Sequence, residues 1–185
     1  MNLAEVKKAA RAAAFARRKA AFRAGQVGAG ARLLDWLVPH RGKVLAGYMP
    51  IRTEIDPLGV MAEMARFGPV CVPVIQGAGK PLRFRAWTPD CVLVDGPFGA
   101  KVPETGAWLE PEVLIVPLVA FDRNGGRLGY GGGFYDRTLE GLRAMRPTPA
   151  VGFAFAAQEA ENLPLEPTDQ PLDAVVTERV VIAKP

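Results

Sequence analysis

The chain is predicted to be an α/β protein, a three-layer α/β/α sandwich with a mostly parallel central sheet. Three observations carry that expectation. Short valine-rich apolar runs alternate along the sequence with segments of helical period. The most apolar run, VLIVPLVAF at 113–121, has no polar face, as befits a strand covered by helices on both sides. A hydrophobic fraction of 49% and a mean hydropathy of +0.09 fit a soluble fold with a sizeable core. At 185 residues the simplest organisation is one domain, 1–185, large enough to need no staples. No internal repeat or linker is visible.

The elements follow in order. Residues 3–24 read as a helix with Val6, Ala10, Ala13 and Ala20–Ala21 as its apolar stripe. At 100° per residue Lys7, Arg11 and Arg18 fall within about 40° of one another on it. A second helix spans roughly 28–38. VLAGYMPI (44–51) is a strand, and 57–67 a helix entered through Pro57 in its first turn. PVCVPVI (69–75) is a buried strand; LRFRAW (82–87) alternates and is half-exposed; CVLVDG (91–96) follows. Residues 99–112 are a proline- and glycine-rich loop. After the 113–121 strand come a helix over about 133–146, a central strand at 150–156, and strands at 173–178 and 180–183. Ligands belong at the carboxyl ends of such strands, and the loops after 44–51 and 113–121 are both such ends.

Composition excludes several chemistries. The chain has no serine, so a serine-nucleophile hydrolase is ruled out. His40, the one histidine, lies beside Pro39 and Arg41 at an apparent helix end, where a helix-terminal charge explains it better than a catalytic base. No His/Cys cluster offers a transition-metal site, so any metal is a hard ion on carboxylates, hence Mg²⁺. Cys71 and Cys91 both sit in apolar runs and read as buried free thiols rather than a disulfide, which suits a reducing cytoplasm. No apolar run reaches the ~18–20 residues of a membrane span. Basic character is concentrated: residues 1–23 hold seven basic side chains against Glu5, a local charge of +6, and the rest of the chain carries −2. An Ala/Arg-rich start is shared by transit peptides, but those are serine-rich. A basic helix without interleaved aromatics makes a poor nucleic-acid platform.

The most informative stretch is PLVAFDRNGGRLGYGGGFYDR (117–137). A strand runs into Asp122, a turn, then Gly129, Gly131, Gly132 and Gly133 before Phe134, Tyr135, Asp136 and Arg137. Glycines opening a helix let the backbone approach an anion, with free N–H groups and the helix dipole aimed at it. Arg127 and Arg137 bracket the loop as charge partners, and Asp136 is placed to hold Mg²⁺ on the bound phosphate. The run is neither a Walker loop, which needs Gly-Lys-Ser/Thr, nor a dinucleotide fingerprint, which needs glycine where Phe134 stands. On spacing alone it is a phosphate cradle or merely a tight turn.

RLGYGGGFYDR after VPLVAFDRNG resembles the signature of the 5-formyltetrahydrofolate cyclo-ligases, ATP-dependent folate enzymes that carry RLGxGGGYYDR after a PxxAFD strand. Phe134 replaces a tyrosine of that signature and keeps the aromatic face. Lys7-x-x-x-Arg11 on the first helix and YMPIRTEIDP (48–57) agree with the same family in order along the chain. The resemblance implies an α/β fold and ring closure of 5-formyltetrahydrofolate to 5,10-methenyltetrahydrofolate, with ATP becoming ADP and phosphate and Mg²⁺ assisting. It implies ATP contacts from Lys7, Arg11, Arg127, Leu128, Gly129, Tyr130, Gly131, Gly132, Gly133, Phe134 and Tyr135. It implies folate contacts from Met49, Glu54, Tyr130, Gly131, Gly132, Gly133 and Phe134, catalytic roles for Arg127 and Asp136, and metal ligation by Asp136 and Asp169, with Asp173 competing for the second place.

Read without the family, Lys7 and Arg11 make a solvated helix face, and Glu54 an ordinary turn carboxylate before a helix. Arg18 joins Lys7 and Arg11 by helix phase alone. Trp108 and Phe98 lie in the long loop, where the run ETGAWLEPE (104–112) departs from many relatives. The expected protein is a cytoplasmic monomer acting on small molecules, without nucleic-acid or membrane partners. Its rivals are a fold relative binding a phosphorylated sugar or CoA ester, and a non-catalytic binding protein.

Overall fold

Five parallel strands form the middle of an eight-stranded sheet whose outer strands are antiparallel. The computed structural model describes residues 2–185; Met1 of the expected 1–185 domain lies outside them. In chain order the elements begin with α1 (Leu3–Ala24), α2 (Ala29–Leu37), β1 (Leu45–Ala46), α3 (Leu58–Met64), β2 (Val70–Val74) and β3 (Arg83–Trp87). They continue with β4 (Leu93–Asp95), β5 (Lys101–Pro103), β6 (Trp108–Leu109), β7 (Val113–Val116), β8 (Ala120–Phe121) and β9 (Arg127–Leu128). The chain ends with α4 (Phe134–Met145), β10 (Ala150–Phe153), β11 (Ala174–Val176) and β12 (Val181–Ala183). The sheet runs β12-β11-β10-β7-β1-β2-β3-β6, with β8-β9 and β4-β5 as separate two-stranded ribbons.

Alternation in β7 builds the layers. Val113 and Ile115 face one side, where α2 and α3 deliver Leu33, Leu37, Val60 and Met61. Leu114 and Val116 face the other, where α4 delivers Leu139 and Leu142. All four β7 side chains are fully buried, which explains why its sequence shows no polar face.

The connections leaving β1 and β7 diverge. β1 continues through α3 to β2 on one flank, and β7 continues through α4 to β10 on the other. Neighbouring parallel strands whose crossovers part leave a crevice between their carboxyl-end loops. Here those loops are 47–57 and 117–133. α1 belongs to neither helical layer. Its Ala14 packs on Val119, Ala120 and Leu128 of the β8–β9 region, so the helix lies across the carboxyl end of the sheet.

Several elements differ from the sequence expectation. The 44–51 strand pairs only at Leu45–Ala46, and 113–121 is two strands broken at Pro117, whose missing N–H cannot continue a ladder. The 99–112 stretch is not all loop: it supplies β5 and the sheet's edge strand β6. CVLVDG is not core. β4 is exposed along its length and pairs only with β5, and Cys91 before it is half-buried while Cys71 is buried; both thiols are free. Pro57 is the N-cap of α3, one position before its first turn. The stripe of α1 is displaced too: Ala13 is exposed, and the inward face carries Ala14 and Arg18. His40 stands in a 3-10 turn after α2, its pKa lowered by burial and by Lys43. Both effects favour the neutral ring over the helix-terminal charge its position suggested.

Candidate active site

The crevice above β1 and β7 is walled on one side by the glycine loop. Asp122 shapes the approach to it: its Oδ1 accepts from the N–H groups of Asn124 (2.8 Å) and Gly126 (2.9 Å), an Asx-type turn that joins β8 to β9. Arg127 and Leu128 follow on β9, both buried. Gly131 (φ +104°) and Gly133 (φ +67°) then take left-handed backbone conformations. Gly133 caps α4 with no side-chain hydrogen bond, so the first N–H groups of that helix remain available to an anion. Arg137 donates to the Gly132 carbonyl at 2.6 Å and fixes the loop from below.

α1 supplies the opposite wall. Arg11 Nε donates to the Gly129 carbonyl at 2.8 Å, and its guanidinium lies against Gly131. Lys7 is held by Glu166 and lies 3.7 Å from Asp169 Oδ2, with its side chain only 13% exposed. These two cations face inward and do not form a solvated helix face. Arg18 departs from its expected company. It is 1% exposed and turns to Thr53 Oγ1 (3.0 Å) and to the Tyr130 hydroxyl (2.9 Å), away from Lys7 and Arg11.

Glu54 occupies the other half of the crevice, in the turn after β1. Its Oε2 accepts from the Ile51 N–H (2.9 Å) and its Oε1 from the Tyr130 hydroxyl (2.9 Å). Burial raises its pKa, while those two hydrogen bonds, Arg18 and Arg52 oppose the rise. Arg52 reaches this turn with a positive φ of 54°, and its guanidinium lies 5.9 Å from the Tyr130 ring centre. Met49 is half-buried against the core beneath α2 and α3.

Arg127 and Asp136 form the charged centre between these halves. Arg127 donates to Asp136 Oδ1 at 2.5 Å, and the Gln170 N–H donates to the same oxygen at 2.8 Å. The arginine is 6% exposed; burial lowers its pKa and Asp136 pulls it back up. Among the described residues, Arg127 Nε and the Tyr135 hydroxyl are buried without a hydrogen-bond partner. Unpaired buried donors beside a cleft are costly unless a ligand completes them.

The carboxylates sort by place. Asp169 accepts from the Glu166 N–H at 2.8 Å and lies beside Lys7, in the segment whose Gln170 touches Asp136. Asp173 accepts from the Ala150 N–H (2.7 Å) and Arg143 (3.2 Å), at the amino end of β10 and away from the crevice. Among the described residues no three His, Cys, Asp or Glu side chains cluster as a metal site. One or two carboxylates are what Mg²⁺ needs when phosphates and water complete its shell, so Asp136 with Asp169 fits that ion and not a protein-caged one. Trp108 is remote: it stands on the edge strand under Arg83 (4.3 Å) and Arg85 (4.9 Å). Phe98 lies nearer, 6.3 Å from the Phe134 ring.

Known proteins resemble this chain in sequence and fold. A family model described as the 5-formyltetrahydrofolate cyclo-ligase family matches residues 4–178, nearly the whole chain. The chain belongs to the 5-formyltetrahydrofolate cyclo-ligase family. A cyclo-ligase of this family from Haemophilus influenzae is 41% identical over 146 residues, covering 75% of this chain and 78% of that protein. One from Mycolicibacterium smegmatis is 31% identical over 180 residues, covering 90% and 91%. The fold agrees with the solution structure of an Aquifex aeolicus 5,10-methenyltetrahydrofolate synthetase, with a TM-score of 0.71 at 28% identity over 99% of this chain and 93% of that one. The chain is thus an enzyme, a 5-formyltetrahydrofolate cyclo-ligase of folate one-carbon metabolism in an ATP-using family.

Sequence reasoning named Tyr130 and Arg18 as candidates but did not foresee the contacts they make. Tyr130 joins the loop to Glu54, 76 residues away in sequence, a pairing that no local pattern announces. Arg18 reads as one more cation in an arginine-rich helix, and only the helix phase placed it on the inward face.

Proposed function

We propose that the chain closes 5-formyltetrahydrofolate to 5,10-methenyltetrahydrofolate through phosphorylation of the formyl oxygen. The P–O bond between the γ-phosphoryl and ADP breaks as a P–O bond to the formyl oxygen forms. N10 of the folate then attacks the activated carbon, loses its proton, and inorganic phosphate departs. A formamide oxygen leaves poorly and its carbon is a weak electrophile; phosphorylation corrects both. The protein then needs no nucleophile of its own. It must align two ligands and neutralise phosphate charge.

The observation that supports this best is the shared wall. One loop, 129–135, meets a cationic cradle on one side (Arg11, Arg127 and the α4 N-terminus, with Lys7 one turn before Arg11 on α1) and a buried carboxylate on the other (Glu54). In this reading ATP phosphates lie along Arg11, Arg127 and residues 128–135. The pterin N–H groups donate to Glu54, with Met49 lining the pocket. Mg²⁺ held by Asp136 and Asp169 would neutralise charge on the transferring phosphoryl group. Arg127, already buried with an unpaired Nε, donates to phosphate oxygens, and closure around the ligands excludes water. The whole chain acts as one domain, monomeric and cytoplasmic, on small molecules alone. Three of the seven N-terminal cations turn into the crevice and away from any nucleic-acid surface.

An absorbance assay for methenyl-folate formation, with and without ATP and Mg²⁺, tests the reaction. Product that needs both is expected; product independent of ATP would overturn the phosphorylation step. Calorimetry tests the placement of Glu54. Glu54→Gln sets an NH₂ where an acceptor is wanted, leaves pterin donors unpaired, and is expected to cost about 1–3 kcal/mol of folate affinity. ATP affinity in the binary complex is expected to hold within about twofold. Folate binding that survives while ATP binding falls would reverse the two subsites.

A further inference from the structure

Arg18 is among the largest fully buried side chains of the molecule, yet it makes no ion pair within 4.0 Å among the described residues. Its guanidinium spends Nε on Thr53 Oγ1 and one terminal nitrogen on the Tyr130 hydroxyl, and lies 5.1 Å from the centre of the Phe15 ring. Tyr130 in turn donates to Glu54 Oε1 at 2.9 Å. The direction of this chain of hydrogen bonds is fixed by chemistry. Arginine has donors and no acceptor, so the Tyr130 oxygen must accept from it. The tyrosine's single proton is then left for Glu54, which receives it best as a carboxylate. A Glu54 protonated at Oε1 would turn that oxygen into a donor and remove the acceptor that the Tyr130 proton uses.

We propose that Arg18 and Tyr130 are positioning residues, a relay that holds Glu54 ionised and oriented as the acceptor for the folate's N–H donors. The proposal rests on the reading of Glu54 as the folate carboxylate. The relay answers a real difficulty. Glu54 is 5% exposed, and burial by itself favours its neutral acid form, which cannot accept two donors side by side. Every element packed round it bears on that balance. α1 contributes Arg18, the glycine loop Tyr130, and α4 the Tyr135 hydroxyl. The turn after β1 contributes Tyr48, the Ile51 N–H, Arg52 and Asp56. Of these, Arg18, Arg52, Tyr130 and the Ile51 N–H favour the carboxylate. Arg52 is exposed and acts through a wetter path. Arg18 also acts on Glu54 by its charge, but its hydrogen-bonded route runs through the Tyr130 hydroxyl, so removing either link breaks that route.

The test is the pH dependence of 5-formyltetrahydrofolate affinity, measured by calorimetry on the full chain without ATP from pH 5.5 to 8.5. The proteins are the wild type, Tyr130→Phe, Arg18→Met, the double variant and Glu54→Gln. Tyr130→Phe keeps the ring against Phe15 and removes only the hydroxyl. The acid-side loss of affinity is expected to begin about one pH unit higher in both single variants, a roughly tenfold loss on that side. The double variant is expected to lose less than the sum of the two singles, since part of the effect of Arg18 passes through Tyr130. A shift of the acid limb is something a merely structural role does not produce. Single variants that keep the wild-type pH profile overturn the relay, as does an additive double variant. If Arg18→Met does not fold, Tyr130→Phe alone decides. Wild-type protein that fails to bind 5-formyltetrahydrofolate, or binding that Glu54→Gln leaves intact, refutes the parent reading, and the relay with it.

Discussion

At the scale of single residues, Arg127 and Asp136 are paired but unequal. Arg127 is buried and Asp136 partly open, with side-chain exposures of 5% and 22%. Arg127→Ala and Asp136→Ala are each expected to cost about 2–4 kcal/mol of transition-state stabilisation, comparable to losing one preorganised donor, read as kcat/KM. Their effects on stability should differ. Asp136→Ala strands a buried guanidinium that already has an unpaired Nε, whereas Arg127→Ala leaves a carboxylate that water can reach. Asp136→Ala is therefore expected to lower the Tm more; equal melting shifts would show that Arg127 finds other partners. These two residues were legible in the sequence because the charge chemistry and the glycines lie within ten positions of each other. Asp169 was only half legible, since Asp173 fitted as well on sequence grounds. Geometry separates the two, with Asp173 tied to Ala150 and Arg143 at the far end of β10. Glu54 was legible as a turn carboxylate and, through the family likeness, as a ligand, but its hydroxyl partner was not.

At the scale of elements, α1 is the part on which both halves of the crevice depend. Lys7, Arg11, Ala14 and Arg18 recur at spacings of four, three and four and so share one face, and that face is the packed one. Its bounds were read correctly from its periodicity, and Ala10 and Ala21 of its stripe pack on the core, but Ala13 and Ala20 are exposed. Hydrophobic periodicity assumes an apolar surface beneath a helix, and this helix covers a polar crevice. The same assumption failed at β4, where an apolar run lies exposed, and at 99–112, where prolines and glycines hid two short strands. Strongly apolar elements such as β7 were legible because burial on both faces leaves no room for other residue types. Two tests belong to α1. The Lys7→Ala/Arg11→Ala double variant is expected to raise the KM for ATP by about tenfold or more, near 1.4 kcal/mol, with a smaller change in kcat, because in the proposed site both cations would meet ground-state phosphate as well. Unchanged ATP dependence would remove them from the phosphate site. Ala14→Leu inserts volume where α1 touches Val119, Ala120 and Leu128, and overpacking of that kind typically costs about 1–3 kcal/mol of stability.

For the whole molecule, the sheet that positions the site also makes stability depend on pH through one thiol. Cys71 lies on β2 beneath α4, is 0% exposed, and contacts only the Leu45 carbonyl among polar partners, at 3.5 Å. Burial pushes its pKa up to about 12, against about 8.5 for a thiol in an unfolded chain. Below about pH 8 both states keep the proton, and the thiol adds no pH dependence. Above that, the unfolded chain releases its proton while the native state holds it. The unfolded state then binds fewer protons, and stability falls as pH rises. The slope from the thiol approaches about 1.4 kcal/mol per pH unit between pH 9 and 10, where the buried tyrosines add their own, so the difference between wild type and Cys71→Ala isolates the thiol. Cys71→Ala removes that term at the cost of a small cavity. Urea unfolding at pH 7.5, 9 and 10 is expected to show the wild type more stable at pH 7.5, with its advantage shrinking as the pH rises. A constant difference across the three pH values would mean that Cys71 titrates in the native fold, and so that water reaches the sheet beneath α4.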